Sequence, residues 1–202
     1  FERVLLLLGY LPEAIQSYCQ DGSRWGLEVD YAVSAVEDDT GRRLQLAAEH
    51  LDPVFLLMYC DNYWPMDMAR MWRRYTSSGA AALLTIYRNR DRYSRDNVRL
   101  DEHGFIVTYD KTRTTPGLSG VEMGFGIFRR EMLSLLPEGN GSFEQEVYPR
   151  LAASRQLAAF VTDHRYYSVS SLERLPLTEA FLARRPAIIL DRDGVLNVKA
   201  PR

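Results

Sequence analysis

Val54-Phe55-Leu56-Leu57-Met58-Tyr59-Cys60-Asp61 runs apolar without alternation and stops at a carboxylate. A strand with one wet face alternates apolar and polar residues, whereas a strand covered on both faces does not. The run therefore predicts a strand buried on both sides. Val4-Leu5-Leu6-Leu7-Leu8 and Ala80 to Tyr87 have the same character, and Leu27 to Val33 alternates as Leu27, Val29, Tyr31 and Val33. Helices are predicted between these strands. One starts at Pro12, with Ala14, Ile15 and Tyr18 on its apolar face. A second runs from about Arg42 to Leu51, with Thr40 as its cap and Pro53 as its stop. A third, Pro65 to Ser77, carries Met68, Met71, Trp72 and Tyr75 as one stripe. Strictly alternating strands and helices predict an α/β fold, with a Rossmann-like, mostly parallel sheet covered by helices on both faces.

The pattern changes after Tyr87. Val98 to Leu100 and Phe105 to Tyr109 flank Asp101-Glu102-His103-Gly104, which predicts an antiparallel hairpin inserted into the α/β order. Thr112 to Gly120 is a polar loop. Val121 to Phe128 is a strand, Arg129 to Leu136 a short helix and Phe143 to Ala153 a longer one. Leu157 to Val161 and Tyr166 to Val169 are short strands. Ser171 to Ala183 is helical, with a break near Pro176. Arg184-Arg185-Pro186 reads as a linker, because proline ends the helix and Ala187 opens a new apolar run. The expected organisation is a domain over residues 1–185 and the start of a second one over 186–202. Both chain ends are expected to cut through folded structure.

Composition narrows the function classes. The 202 residues are 46% hydrophobic and 26% charged, as in globular proteins. A net charge of −2 gives no global attraction to nucleic acid or to an acidic membrane. The apolar runs are far too short for a membrane helix. Cys19 and Cys60 cannot form a disulfide framework or a metal cluster, so a reducing cytoplasm is expected.

In an open α/β sheet, ligands bind beyond the carboxyl ends of the strands. Asp61 falls at such an end. It reads either as a Mg²⁺ ligand bridging phosphates or as a cap for the following helix. Glu37-Asp38-Asp39 follows another strand, where an acidic run commonly just favours a helix dipole. Lys111 follows a third strand and reads either as a phosphate or sugar contact or as an ordinary exposed lysine. Arg42 and Arg43 oppose the dipole of the helix they begin, a cost that a bound anion would offset. His50, His103 and His164 share no partner spacing. Asp191 and Asp193 are the sharpest pair: two carboxylates on alternate residues after Ile188-Ile189-Leu190, followed by Gly194. One carboxylate of such a pair can attack a phosphoryl group while the other serves as acid and base, with Mg²⁺ neutralising the charge between them.

Two resemblances follow from these residues. Ala187-Ile188-Ile189-Leu190-Asp191-Arg192-Asp193-Gly194-Val195-Leu196-Asn197 resembles the first motif of haloacid dehalogenase-type phosphatases, in the form of the heptose bisphosphate and histidinol phosphate group. The resemblance implies Asp191 as nucleophile and Asp193 as general acid/base. The family's later motifs are absent.

Residues 1–185 resemble the sugar-1-phosphate nucleotidyltransferase family. The likeness is carried by Leu8-Gly9-Tyr10-Leu11-Pro12-Glu13-Ala14-Ile15, by Asp21-Gly22-Ser23-Arg24-Trp25-Gly26 and by Phe55 to Asp61. Tyr109-Asp110-Lys111 sits where the family has a substrate-contacting Glu-Lys, and Gly126-Ile127-Phe128 where it has a strand closing over the sugar. The resemblance implies nucleotidyl transfer from a nucleoside triphosphate, GTP favoured, to a heptose- or mannose-type sugar 1-phosphate. Asp61 would hold Mg²⁺, and Lys111, Arg42, Arg43 and Gly126 would lie at the substrate. The joint resemblance implies a bifunctional transferase–phosphatase parent and possible homo-oligomers. Two departures stand out. The family's Gly-rich nucleotide loop is expected before Phe1, and Ser168 occupies the place of its second metal-binding aspartate. A non-catalytic sugar-phosphate-binding or scaffold domain is the alternative.

Overall fold

The computed structural model describes residues 1–183. They form two units, residues 1–166 and a second beginning at Tyr167. In the first unit, Arg3–Leu8 (β1) and Glu28–Val33 (β2) pair in parallel, with Pro12–Cys19 (α1) between them in sequence. A four-stranded sheet follows. Its strands are Val54–Met58 (β3), Ala82–Tyr87 (β5), Val121–Arg129 (β8) and Leu157–Thr162 (β9), in the order β3-β8-β5-β9. Strands β3, β5 and β9 run one way, and β8 lies reversed between β3 and β5. The sheet is thus mostly parallel, as expected, and the reversed strand is its one departure. Asn62–Tyr63 (β4) is a two-residue strand just beyond β3.

The strands are buried on both faces because they alternate between two apolar layers. Ala82, Leu84 and Ile86 of β5 point into one layer with Phe128, and Leu83 and Tyr87 into the other with Phe125 and Ile127. Met68–Ser78 (α3) covers the second layer with Met71 and Tyr75, both buried. Thr40–Leu46 (α2) and Phe143–Ala153 (α4) cover the first with Leu44, Phe143, Val147, Tyr148 and Leu151. Helices therefore stand on both faces. Trp64, also buried, packs 6.0 Å from Phe125 and 6.1 Å from Phe160, whereas Trp72 of the α3 stripe is half exposed.

Several boundaries differ from the sequence expectation for local reasons. The α2 cap is Asp39, whose carboxylate accepts from the Thr40 N–H, and not Thr40 itself. Thr40 instead accepts from the Phe143 N–H through its hydroxyl, 3.0 Å away, and ties α2 to α4. Helix α3 starts at Met68 rather than at Pro65, because Asp67 accepts from the Arg70 N–H at 3.0 Å and fixes the first turn. The hairpin forms as expected from Val98–Leu100 (β6) and Ile106–Tyr109 (β7).

Strand β8 carries an irregularity that shapes the site. Its register against β5 shifts between Leu84 and Ile86, which pair with Gly126 and Glu122. The extra residues bulge. Gly124 takes φ +85°, and the buried Thr85 hydroxyl donates to the Phe125 carbonyl at 2.5 Å. A bulge of this kind re-aims side chains at the edge of a site.

The second unit contains Tyr167–Ser168 (β10) and Leu175–Leu182 (α5). Within it, Tyr167 stacks on Phe181 at 3.9 Å, and the Thr178 hydroxyl donates to the Ser168 carbonyl at 2.7 Å. The expected linker at Pro186 lies outside the described residues, as do Asp191 and Asp193.

Candidate functional site

The carboxyl ends of β3 and β7 and the start of the reversed β8 point the same way, so residues from all three meet at one end of the sheet. Helix α4 adds its first turn there. Lys111, just past β7, reaches across so that Nζ lies 2.8 Å from the Glu144 carboxylate and 3.4 Å from the Ser142 hydroxyl. Glu144 is largely covered and Lys111 is half exposed, so the pair faces solvent through its cationic partner.

Glu122 sits behind this pair at the β8 bulge and is buried. Its carboxyl accepts from the Gly124 N–H at 2.6 Å, and its own N–H donates to the Asn97 side chain at 2.8 Å. Burial pushes the Glu122 carboxyl up to about 8, and the nearby Glu144 charge adds to the shift. Glu122 is therefore protonated at neutral pH and offers one O–H as well as an acceptor. Glu144, paired with Lys111, is the neighbouring charge. Three tyrosines, Tyr59, Tyr109 and Tyr148, complete the wall. Burial first pushes all three hydroxyls up; the two carboxylates come next for Tyr59 and Tyr109, and Tyr59 followed by the carboxylates for Tyr148. The Tyr59 hydroxyl is hidden from solvent beside Thr40 and Tyr148, without hydrogen-bond geometry to either.

The loop carrying Lys111 is held by its neighbour. The Asp110 carboxylate accepts from the N–H groups of Thr112, Thr114 and Thr115 at 2.8, 2.9 and 2.8 Å. It also accepts from the Thr112 and Thr115 hydroxyls. The Thr112 hydroxyl and the other bonds hold Asp110 far below the usual carboxylate range. Asp110 is thus committed to the turn, and Lys111 alone of the pair is turned to α4.

The other sequence candidates fall in different places. Asp61 lies in the turn after β3, next to Asn62, whose side chain donates to the Met123 carbonyl at 3.2 Å. Among the described residues, no three metal-binding side chains gather around it or elsewhere. Arg43 turns away from the Lys111 cluster. It donates to the Ser34 hydroxyl at 3.0 Å and to the carbonyls of Ala35 and Val36 at 3.0 and 3.2 Å. Its guanidinium lies over Gly9, where a Cβ would come within 2.4 Å of Nη1. Arg42 makes no side-chain hydrogen bond or ion pair among the described residues. Gly126 lies in mid-sheet, where a Cβ would meet the Phe128 ring at 2.6 Å and Leu84 at 2.8 Å. It serves packing there, and Gly124 is the β8 glycine that borders the site. Glu122 and Glu144 escaped the sequence reading. A lone acid inside the otherwise apolar Val121-Glu122-Met123 was the available signal for the first.

The cluster thus joins a half-exposed cation, a largely covered carboxylate and a buried carboxyl. Over 154 residues, 75% of this chain, it is 26% identical to a mannose-1-phosphate guanylyltransferase of Mycobacterium tuberculosis. The chain is similar to sugar-1-phosphate nucleotidyltransferases. It is also 25% identical, over 171 residues, to a UTP–glucose-1-phosphate uridylyltransferase of Synechocystis. It spans 43% and 44% of the length of these two curated relatives. No family model matches it. Among solved structures, HddC from Yersinia pseudotuberculosis superposes with a TM-score of 0.72 at 18% identity, over 89% of this chain and 79% of that one. HddC complexed with GMP-PN gives 0.71 at 18% identity, over the same shares. A putative glucose-1-phosphate thymidylyltransferase from Bacillus anthracis also gives 0.71, at 14% identity over 89% of this chain and 74% of that one. The fold is that of nucleotide-diphospho-sugar transferases. No helix among the described residues is long and apolar enough to cross a membrane.

Proposed function

We propose that this chain is the sugar-phosphate-binding part of a nucleotidyltransferase. The reaction is attack by a sugar 1-phosphate oxygen on the α-phosphate of a nucleoside triphosphate, with pyrophosphate leaving. The observation that carries the reading is the Lys111–Glu144 pair beside the buried Glu122, whose carboxyl burial pushes up, at the carboxyl end of a nucleotide-diphospho-sugar transferase sheet. A cation half open to solvent suits the sugar phosphate, and a neutral carboxyl with a charged one suits sugar hydroxyls. Catalysis of this type is mostly positioning and charge neutralisation.

Asp61 is the residue that would hold Mg²⁺. A single carboxylate fits that ion, which takes its other ligands from water and phosphate. Bound there, Mg²⁺ would offset triphosphate charge. GTP and a mannose- or heptose-type sugar are the favoured substrates, by likeness to the guanylyltransferase. A phosphatase domain that starts over residues 186–202 and carries Asp191 and Asp193 would supply the sugar 1-phosphate from a bisphosphate in the same polypeptide.

A second reading is a domain that binds sugar phosphate without turnover. Ser168 at the place of a second metal-binding aspartate favours it, as does an Arg43 already committed to residues 34–36. One assay separates the two. The full-length parent is given GTP, Mg²⁺ and mannose or heptose 1-phosphate, and pyrophosphate is measured. Release supports transfer. Saturable sugar-phosphate binding without release with any triphosphate overturns transfer in favour of the second reading.

A further inference from the structure

At the far end of the β6–β7 hairpin lies a groove of about 500 Å³ that the Lys111 site does not use. Strand β7 separates them by roughly 13 Å, from four residues at about 3.3 Å each. Arg70, Arg73 and Arg74 of α3 line one wall, and Glu102, His103 and Gly104 the other. The floor is Ala159 to Val161 of the edge strand β9.

Arg74 is fixed in this groove. Its Nε donates to the Ala159 carbonyl at 3.2 Å, and Nη2 donates to the His103 and Gly104 carbonyls at 3.1 and 3.0 Å. The approach needs the glycine, because a Cβ at Gly104 would lie 2.9 Å from Nη2. Nη1 keeps its two donors without a partner among the described residues. The Arg73 side chain makes no hydrogen bond or ion pair among them either. Arg70 lies over the Phe160 ring at 5.7 Å and is 3.9 Å from Asp67, beyond hydrogen-bond distance. The one acid in the lining, Glu102, is mostly exposed and sits 3.6 Å from His103.

Three arginines at i, i+3 and i+4 repel one another along a helix face. Only one carboxylate lines the groove with them, so the lining carries two positive charges in excess (three Arg less one Glu). Guanidinium forks match phosphate oxygens in shape and charge. We propose that this groove is a second, non-catalytic site for the phosphate group of a small metabolite, with Arg73 and the Nη1 of Arg74 as its donors. It stands independently of the proposed function.

The test follows the arginine Nε–Hε signals by NMR while inorganic phosphate is added to the full chain at constant ionic strength. Arg73 and Arg74 should shift saturably. In Arg73→Gln the midpoint should rise at least ten-fold, and in Arg70→Gln by a smaller factor, with thermal melts unchanged because both side chains are exposed. Lys111→Gln should leave the midpoint where it was. Shifts that grow linearly, or that chloride reproduces, overturn the site. So does a response lost in Lys111→Gln but kept in Arg73→Gln, which would place the phosphate at the Lys111 cluster and leave that reading standing.

Discussion

Lys111 Nζ lies 2.8 Å from a Glu144 carboxylate that is itself largely covered, and the buried Glu122 lies close enough to feel the Glu144 charge. The lysine balances a carboxylate and keeps about half of its own side chain open to solvent. Lys111→Ala should weaken sugar 1-phosphate binding ten-fold or more, read by calorimetry. Stability should fall as well, because the largely covered Glu144 carboxylate is left without its cation.

Glu122 should make stability depend on pH in an unusual direction. Its carboxyl rises from an ordinary 4.5 to about 8 on folding, so between those values the folded chain binds the proton that the unfolded chain has lost. Stability from this group is full below pH 4.5 and falls as pH rises towards 8. Glu122→Gln keeps an acceptor for the Gly124 N–H and cannot ionise. Urea midpoints of the variant should decline less than those of the parent between pH 5 and 8. Parallel curves would overturn the assignment.

Gly124 holds φ +85°, and a Cβ there would press on Tyr59 and the Asn62 side chain at 3.2 Å. Gly124→Ala should cost about 1–2 kcal/mol from backbone conformation alone. Lower melting by several degrees should come with weaker ligand binding, because the same bulge aims Glu122.

Arg42 and Arg43 should separate cleanly. Arg43→Gln removes donors to Ser34, Ala35 and Val36 and should speed amide exchange over residues 34–36. Arg42→Gln should leave exchange unaltered. If Arg42 meets an anionic substrate group, its variant alone should raise the triphosphate KM in the full-length parent.

The sheet was legible because its strands are apolar on both faces, and Val54 to Asp61 sets β3 and the turn beyond it without help from the rest. The reversal of β8 was not. Val121 to Phe128 reads equally well in either direction, and its partners β3 and β5 lie far away in sequence. The site was legible in part. Lys111 and Asp61 stand at strand ends, where position alone marks them. Glu144 looks like a helix-start acid favoured by the dipole, and only the fold brings Lys111 to it. Gly124 and Gly126 are equivalent as letters. Their difference is a backbone angle in one and a crowded Phe128 in the other.

The strand order has a consequence for how the chain is made. Residues 54–58 and 82–87 leave the ribosome well before 121–129, yet the late segment is what joins them. Until it emerges, both early strands carry bare hydrogen-bonding edges flanked by Leu56, Leu57, Leu83 and Leu84. Unpaired apolar edges recruit other chains. Strand β3 keeps its bare edge until Arg129 is made, and β5 keeps one until Thr162, so translational pausing between Tyr87 and Thr162 should lower the yield of folded protein.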